Sequence, residues 1–496
     1  MVASFHHDGD RRESARIIQN FNEQFVPEAA AKEHLDQLAH ENTVTIATGQ
    51  QVSIFGGPLY TIYKTLSVIH LSRLLTRDTG RKVIPVFWLA DEDHDFQEVA
   101  SATVPSGQST KTITYDCDNC TRFAAGSISI TPSFESFRNE MYNTLQETGS
   151  KKQLFSILDE SYAAGRTLGH SFGYLLARLF SKHGLIFAGS HSREIKRYVS
   201  DKIEIAIDKA DEIAGVLTAR SNALSEKYHQ QVQITDSLLF WHDDLEGRVR
   251  LKYDNGRWHT NSEQSFTTDA LRGLLQNEPD RFSPNVFLRP ILQDTLLPNV
   301  AYVGGPAEIA YYGQMKDLYE LFDQKMPFVA ARMSATLAEP SVARHLEELP
   351  VGFYDYSKRI EEIEQYFLRS LEEPGLDSNF EKWKNKIGEL NKSMINEIGI
   401  SDPGLHKHAQ AISKEYCKSL EKLKKKMVQL VRQREEIQIN RMRKIKSSLF
   451  PNDRLQEREI SAVYFMNKFG TDIWDRLLEE MKMQEGLFSE HLLIKL

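Results

Sequence analysis

Two distant segments, Thr48-Gly-Gln-Gln-Val-Ser-Ile-Phe-Gly-Gly-Pro-Leu-Tyr60 and Val303-Gly-Gly-Pro-Ala-Glu-Ile-Ala-Tyr-Tyr312, each follow a strand-like stretch, pass through Gly-Gly-Pro and open a stretch of helical spacing. Strand, glycine turn, helix is the repeating step of an open α/β sheet. At such a junction glycines let the backbone approach a ligand, and the first helical turn presents unpaired N–H groups to an anion. Neither segment is a G-x-x-x-x-G-K-[ST] loop or a G-x-G-x-x-G turn. The pattern therefore predicts a nucleotide or carboxylate pocket and leaves the reaction open.

The flanking residues extend this reading. Residues 43–47 (Thr-Val-Thr-Ile-Ala) are β-branched and apolar, the stretch Leu59 to Leu75 has helical spacing, and Val83-Ile-Pro-Val-Phe-Trp-Leu-Ala90 is a continuous apolar run ending in Asp91-Glu-Asp-His-Asp95. A run apolar at every position suits a parallel strand buried on both faces. Strand, helix, strand then makes a right-handed βαβ unit of a doubly wound Rossmann-like sheet, whose ligands bind beyond the carboxyl ends of the strands.

The expected organisation is a core in three parts, 1–100, 161–230 and 281–353, interrupted by connecting insertions at 101–160 and 231–280. Lys111–Tyr115 and Ser127–Ile130 alternate as antiparallel hairpins would, helical pattern runs from Phe137 to Lys182, and Leu185–Ala188 reads as a strand before a helix from Arg193 to about Gln230. The second insertion carries hairpin signals, and the sheet is expected to close near Phe328-Val-Ala-Ala. Residues 354–450 are rich in Glu, Lys, Leu and Ile; there Tyr416, Leu420, Leu423, Met427 and Leu430 have the spacing of a coiled-coil seam. This predicts an antiparallel helical hairpin that dimerises, with residues 451–496 folding back on the core.

At 496 residues and a net charge of −8 the chain is long enough for several domains and too acidic for a general nucleic-acid or membrane-surface binder. It opens with no basic region before an apolar run, and no segment stays apolar for the ~18–20 residues a membrane span needs. It reads as a cytoplasmic protein with no nucleic-acid or membrane partner. Its three cysteines make no disulfide framework. Cys117 and Cys120 have the spacing of a zinc or redox pair, but no second ligand pair accompanies them, so they read as a chance hairpin pair.

The candidate site residues follow from these junctions. Gln50, Gln51, Gly56, Gly57, Pro58 and Tyr60 suit a loop that wraps polar ligand groups, with Lys64 about two turns into the next helix to offset phosphate charge. Glu92, Asp93, His94 and Asp95 end a buried strand, where carboxylates and an imidazole serve as general base or as Mg2+ ligands, the metal role falling to Glu92 and Asp95. Gly304, Gly305 and Glu308 form the second junction, and Arg332 with Ser334 emerges from a strand end.

In combination, Thr-Gly-Gln-Gln…Gly-Gly-Pro-Leu-Tyr…Lys (48–64), Phe-Trp-Leu-Ala…Glu-Asp-His-Asp-Phe (87–96), Arg-Pro…Gln…Leu-Leu-Pro (289–298), Val-Gly-Gly-Pro…Glu-Ile-Ala-Tyr (303–311) and Leu-Gln-Glu-Arg (455–458) resemble the cysteine-adding enzyme family of bacillithiol synthesis. The resemblance implies a Rossmann-like core with two insertions, a coiled-coil domain mediating a homodimer, and a ligase joining the carboxyl of cysteine to the amine of glucosaminyl malate. Similarity of that family's core to class I aminoacyl-tRNA synthetases implies activation of cysteine by ATP, with Asp93 or His94 as base and Lys64 and Arg332 facing phosphate. Ser53 stands where the family usually has glycine, and Asp91 where it has a smaller or less charged residue. Competing readings are an adenylate-forming ligase or nucleotidyl transferase with another amine acceptor, and a coiled-coil scaffold with a relict nucleotide pocket.

Overall fold

The computed structural model describes all residues except 1–4, 6, 8, 94, 118, 119, 121, 122, 245, 262, 263, 372–375 and 484–487. The expectation for His94 therefore lies outside the described residues. The chain divides into two units, one of residues 1–106, 111–336 and 457–492, the other of residues 107–110, 337–456 and 493–496.

In the first unit a five-stranded, all-parallel sheet is built from β1 (Thr43–Gln51), β2 (Lys82–Ala90), β3 (Ile186–Gly189), β4 (Asn299–Gly304) and β5 (Phe328–Ala331) in the order β3-β2-β1-β4-β5. The order reverses between β1 and β4. That pair flanks the crevice where a doubly wound sheet binds ligands. Thr48 Oγ1 donates to the Val303 carbonyl at 2.8 Å and ties the two strands together near their carboxyl ends. β2 is buried at seven of its nine positions, as its apolar run predicts.

Between β1 and β2 runs α1 (Leu59–Thr79), buried on nearly all sides of its first three turns. Several of its hydroxyls bond to carbonyls of their own helix, Thr65 on that of Thr61 and Ser67 on that of Tyr63, which lowers the cost of taking these polar residues into the core. Gly80, at φ 68°, ends it in the left-handed conformation that glycine tolerates. α2 (Leu288–Leu296) leads into β4, and α3 (Pro306–Gln314) follows it.

The insertions differ in places from expectation. Ser101–Ser106 and Ser109–Thr114 pair as a hairpin, but Ser127–Ile130 does not. A short 3-10 turn covers Ala125–Ser127, and Ile128 and Ile130 turn inward and exchange backbone hydrogen bonds with residues 165–168. The helical stretch expected over 137–182 is three helices, Phe134–Thr144, Lys151–Ser161 and Leu168–Phe180, and the one expected over 193–230 is broken at Val199 and Lys209 and ends at Ser225. Cys117 and Cys120, read as a chance pair, are joined as a disulfide, their Cα atoms 5.6 Å apart. The second insertion forms two small antiparallel sheets, one of them adding Phe282–Pro284 to the strands Leu239–Asp243 and Gly247–Arg250.

In the second unit α4 (Leu376–Ser401) and α5 (His406–Arg434) run antiparallel. The expected seam needs correction. Leu420 and Met427 are half-buried, whereas Tyr416, Leu423 and Leu430 are each more than half exposed. The face turned into the hairpin instead continues through Ser413, Cys417, Lys424 and Val431. The boundary expected at 353/354 falls at 336/337, because Val342 and Ala343 bury themselves in the apolar cluster of Phe367, Ile439, Met442 and Leu449. Among the described residues no helix is long and apolar enough to cross a membrane.

Candidate active site

Beyond the carboxyl ends of β1 and β4 lies a cavity of about 370 Å3, within the size range of small-molecule sites. Its wall is laid down by the strand ends. Gly49, Gln50 and Gln51 come from β1, while Trp88, Ala90, Glu92 and Asp93 come from β2 and the turn after it. Gly49 is required by packing, since a Cβ there would sit 3.0 Å from the Trp88 carbonyl oxygen.

Lys64 reaches back from α1 into this wall. Its ammonium donates to the Gly49 carbonyl at 2.8 Å and to Gln50 Oε1 at 2.9 Å, and it pairs with Glu308. Glu308 also accepts from Tyr302 Oη at 2.6 Å and from the Gly305 backbone N–H at 2.8 Å, capping its own helix. Burial pushes Glu308 up, but Lys64, the Gly305 N–H and Tyr302 outweigh it and hold its pKa below the usual carboxylate range. Burial pushes Lys64 down, with Glu308 opposing. Both values are lowered, for Glu308 because its three donors outweigh burial and for Lys64 because burial outweighs Glu308. The N-terminus of α3 is thus already occupied by a carboxylate of this chain.

Asp93 stands across the cavity as an acceptor for Gln51 Nε2, with Arg248 Nη1 at 3.8 Å. Arg248 arrives from the second insertion, held over the Phe240 ring and donating to Ser283 Oγ and the Pro284 carbonyl. Glu92 is 4% exposed and paired with the buried Lys196. Tyr60 hydrogen-bonds Gln50, and burial raises its phenol, with Glu308 adding to the effect.

Several expected residues are placed elsewhere. Gly56, Gly57, Pro58, Asp95, Gly304 and Ser334 are absent from the cavity wall. The start of α1 is covered by the chain's own C-terminal segment: Leu59 N–H donates to the Ile460 carbonyl at 3.0 Å, and Pro58 bridges Ser461. Arg332 lines the cavity but is held bidentate by Glu457 at 2.7 and 2.9 Å, both side chains nearly inaccessible. Ser334 bonds Glu457 and His491. Asp95 is exposed, and no group of three His, Cys, Asp or Glu among the described residues could hold a metal ion.

Of the five cations on the wall, Lys64, Arg248 and Arg332 face carboxylates within 4 Å. Arg289 and Arg458 make no ion pair among the described residues. Arg289 donates only to neutral acceptors, Gln293 Oε1 and Tyr311 Oη, both at 3.1 Å, and lies over the Tyr302 ring. A guanidinium in that setting invites an anionic ligand. Both arginines sit in motifs visible in the sequence, Arg-Pro at 289–290 and Leu-Gln-Glu-Arg at 455–458, whereas Arg248 stands in an inserted hairpin without any local signal.

The N-terminal Rossmann-like domain of bacillithiol biosynthesis BshC matches residues 3–333, and the C-terminal coiled-coil domain of BshC matches residues 335–496. Relatives named "Putative cysteine ligase BshC" include one from Koribacter versatilis, 31% identical over 98% of this chain and 90% of that protein. Others come from Salinibacter ruber, at 29% identity over 95% of this chain and 87% of the relative, and Bacillus cereus, at 28% over 98% and 91%.

Proposed function

Because the chain belongs to the BshC family, we propose that it is a carbon–nitrogen bond-forming ligase of bacillithiol synthesis, joining the carboxyl of L-cysteine to the amine of glucosaminyl malate. The observation that carries this reading is the switch-point cavity, where Asp93 converges with two arginines, Arg289 and Arg458, that make no ion pair among the described residues. Amide formation makes two demands. The amine must lose a proton to expose its lone pair, and the carboxyl must exchange a poor leaving oxygen for a good one. Asp93, half-buried and held by Gln51 and Arg248, takes the amine proton. ATP would supply the leaving group: a cysteine carboxylate oxygen would displace pyrophosphate from the α-phosphorus or ADP from the γ-phosphorus, and the deprotonated amine would then displace AMP or phosphate from the acyl carbon.

Arg289 and Arg458, which make no ion pair among the described residues, meet the charge of the substrates in place of Lys64 and Arg332, which are paired with Glu308 and Glu457. Among the described residues Glu92 and Asp95, expected as magnesium ligands, do not come together as a site, since Glu92 is paired with Lys196 and Asp95 is outside the cavity wall. Incubating the protein with cysteine and glucosaminyl malate, with and without ATP, tests the reading by mass spectrometry. The expected result is the amide together with AMP or ADP. No amide under conditions that support an active relative would move the reading to another amine acceptor.

The homodimer belongs to the same proposal. Tyr416, Leu423, Leu430 and Ile437 repeat every seven residues and are all more than half exposed. A seven-residue apolar repeat is the seam of a coiled coil, and a second copy would cover it. Sedimentation should show a dimer that Leu423→Glu converts to monomer. A monomeric parent protein would sink the idea.

A further inference from the structure

The segment that leaves β2 serves two cavities. Trp88, Ala90, Glu92 and Asp93 face the one described above, while Leu89 and Asp91 line a separate cavity of about 320 Å3. That is room for about ten water volumes. Its remaining wall includes Phe21, Phe25, His170, His191 and Glu194.

The two cavities differ in the cations they present. The first is lined by five lysine and arginine side chains; the second has none among its described lining residues. Asp91 is 7% exposed. Its Oδ1 accepts the His191 backbone N–H at 3.1 Å, yet no lysine, arginine or histidine side chain pairs with its carboxyl among the described residues. Lys196, the nearest cation to influence it, is committed to Glu92. Burial and the neighbouring Glu92 push Asp91 up to about 7. Burial pushes both histidines down. Glu194, at the rim, shares Arg16 at 3.5 Å and adds a second carboxylate.

The backbone is shaped around this carboxyl group. A Cβ on Gly126 would fall 2.4 Å from the Asp91 Cβ, and one on Gly169 would fall 2.9 Å from the Gly126 oxygen, so both glycines are needed for the wall to close on Asp91. Phe21 and Phe25 pack edge to face, with ring centroids 5.6 Å apart. A buried carboxylate without a counter-cation is costly, and aromatic faces attract organic cations when water is excluded.

We propose that this second cavity is a binding site for a small primary ammonium compound that carries no carboxylate, its ammonium on Asp91. An amino acid zwitterion is disfavoured because the described lining residues include no lysine or arginine to pair with its carboxylate. Since Asp91 directly precedes Glu92 and Asp93, an occupant bears on the turn that forms one wall of the first cavity. The proposal stands whether or not the ligase reading does.

Calorimetric titration of the full-length protein with ethanolammonium chloride, and with ethylene glycol as the neutral counterpart, tests it. Saturable binding of ethanolammonium, undetectable binding of the glycol and at least tenfold weaker binding by Asp91→Asn are expected. Equal binding of the two compounds, or an unchanged affinity in Asp91→Asn, would overturn the proposal. Should Asp91→Asn lose its cooperative melt, Asn20→Trp decides. Asn20 is an exposed residue of the cavity lining. An indole there closes the entrance: abolished binding supports the site, and unchanged binding overturns it.

Discussion

At Gly56-Gly57-Pro58 both glycines have positive φ, 84° and 70°, and the helix that follows is closed off by backbone contacts to residues 460–462. At Gly304-Gly305-Pro306 the helix N-cap, Gly305, has φ −80°, a value open to any residue, and Gly305, Pro306 and Ala307 stand on the cavity wall. The same tripeptide is thus a strained structural turn in one place and a ligand-facing wall in the other. Glycine serves its conformational freedom at the first and its lack of bulk at the second. Neither helix start is an open anion site, since one is covered by backbone and the other capped by Glu308.

If the second junction is the working one, the largest effect falls on the carboxylate across from it. Asp93→Asn preserves shape and removes the base, so turnover should fall by about 10²–10⁴-fold with little change in melting temperature. Unaltered turnover would assign proton removal to another group. Next comes the ion pair joining the two junctions. Glu308→Gln leaves the buried Lys64 ammonium without its carboxylate and should cost about 3 kcal/mol in urea denaturation, the low end for a broken buried pair because Gly49 and Gln50 still accept from Lys64. The linkage has a definite sign. Glu308 has a lowered pKa, so its contribution is present above the ordinary carboxylate range and is lost as pH falls through the folded-state value. Wild-type stability should therefore drop on acidification more steeply than that of Glu308→Gln.

The contrast between the junctions also explains what could be seen in the sequence. The sheet was legible because parallel strands buried on both faces are unbroken apolar runs, as at Val83–Ala90, while Phe328–Ala331 is an equally apolar run on the partly exposed edge strand. Ser127–Ile130 alternates like a strand, but it forms one isolated antiparallel bridge, Ser129 to Thr167, and no hairpin, and periodicity does not say how far a pairing will extend. The heptad spacing at Tyr416, Leu423 and Leu430 was legible as a repeat, while the side it faces depends on which residues of α4 lie opposite. Around the cavity, residues near a strand end, such as Gln50, Gln51 and Asp93, announce themselves by position. Arg332 carries no sign that Glu457, far along the chain, neutralises it, and Arg248 none that a hairpin swings it towards Asp93. Long-range charge pairing is what a linear reading lacks.

Two alanine substitutions sharpen the comparison at smaller cost. Gly57→Ala forces a Cβ onto a residue at φ 70°, with the Ser53 Cβ only 3.0 Å away, and should destabilise the protein by about 2 kcal/mol. Activity per folded molecule should be unchanged, because the turn is not on the cavity wall.

Gly305→Ala should do the reverse. Its backbone already suits alanine, and the nearest atoms to an added Cβ, Arg332 Nε and Glu308 Oε2, are at an ordinary 3.6 Å. Stability should therefore change by no more than about 0.5 kcal/mol. The new methyl group would stand on the cavity wall where a ligand is expected, so KM should rise several-fold while the urea midpoint holds. A variant that binds substrate normally would place the ligand away from α3 and leave the Gln50, Gln51 and Asp93 side of the cavity as the contact surface. A variant that loses stability instead would make the second turn as structural as the first, and the distinction between them would fail.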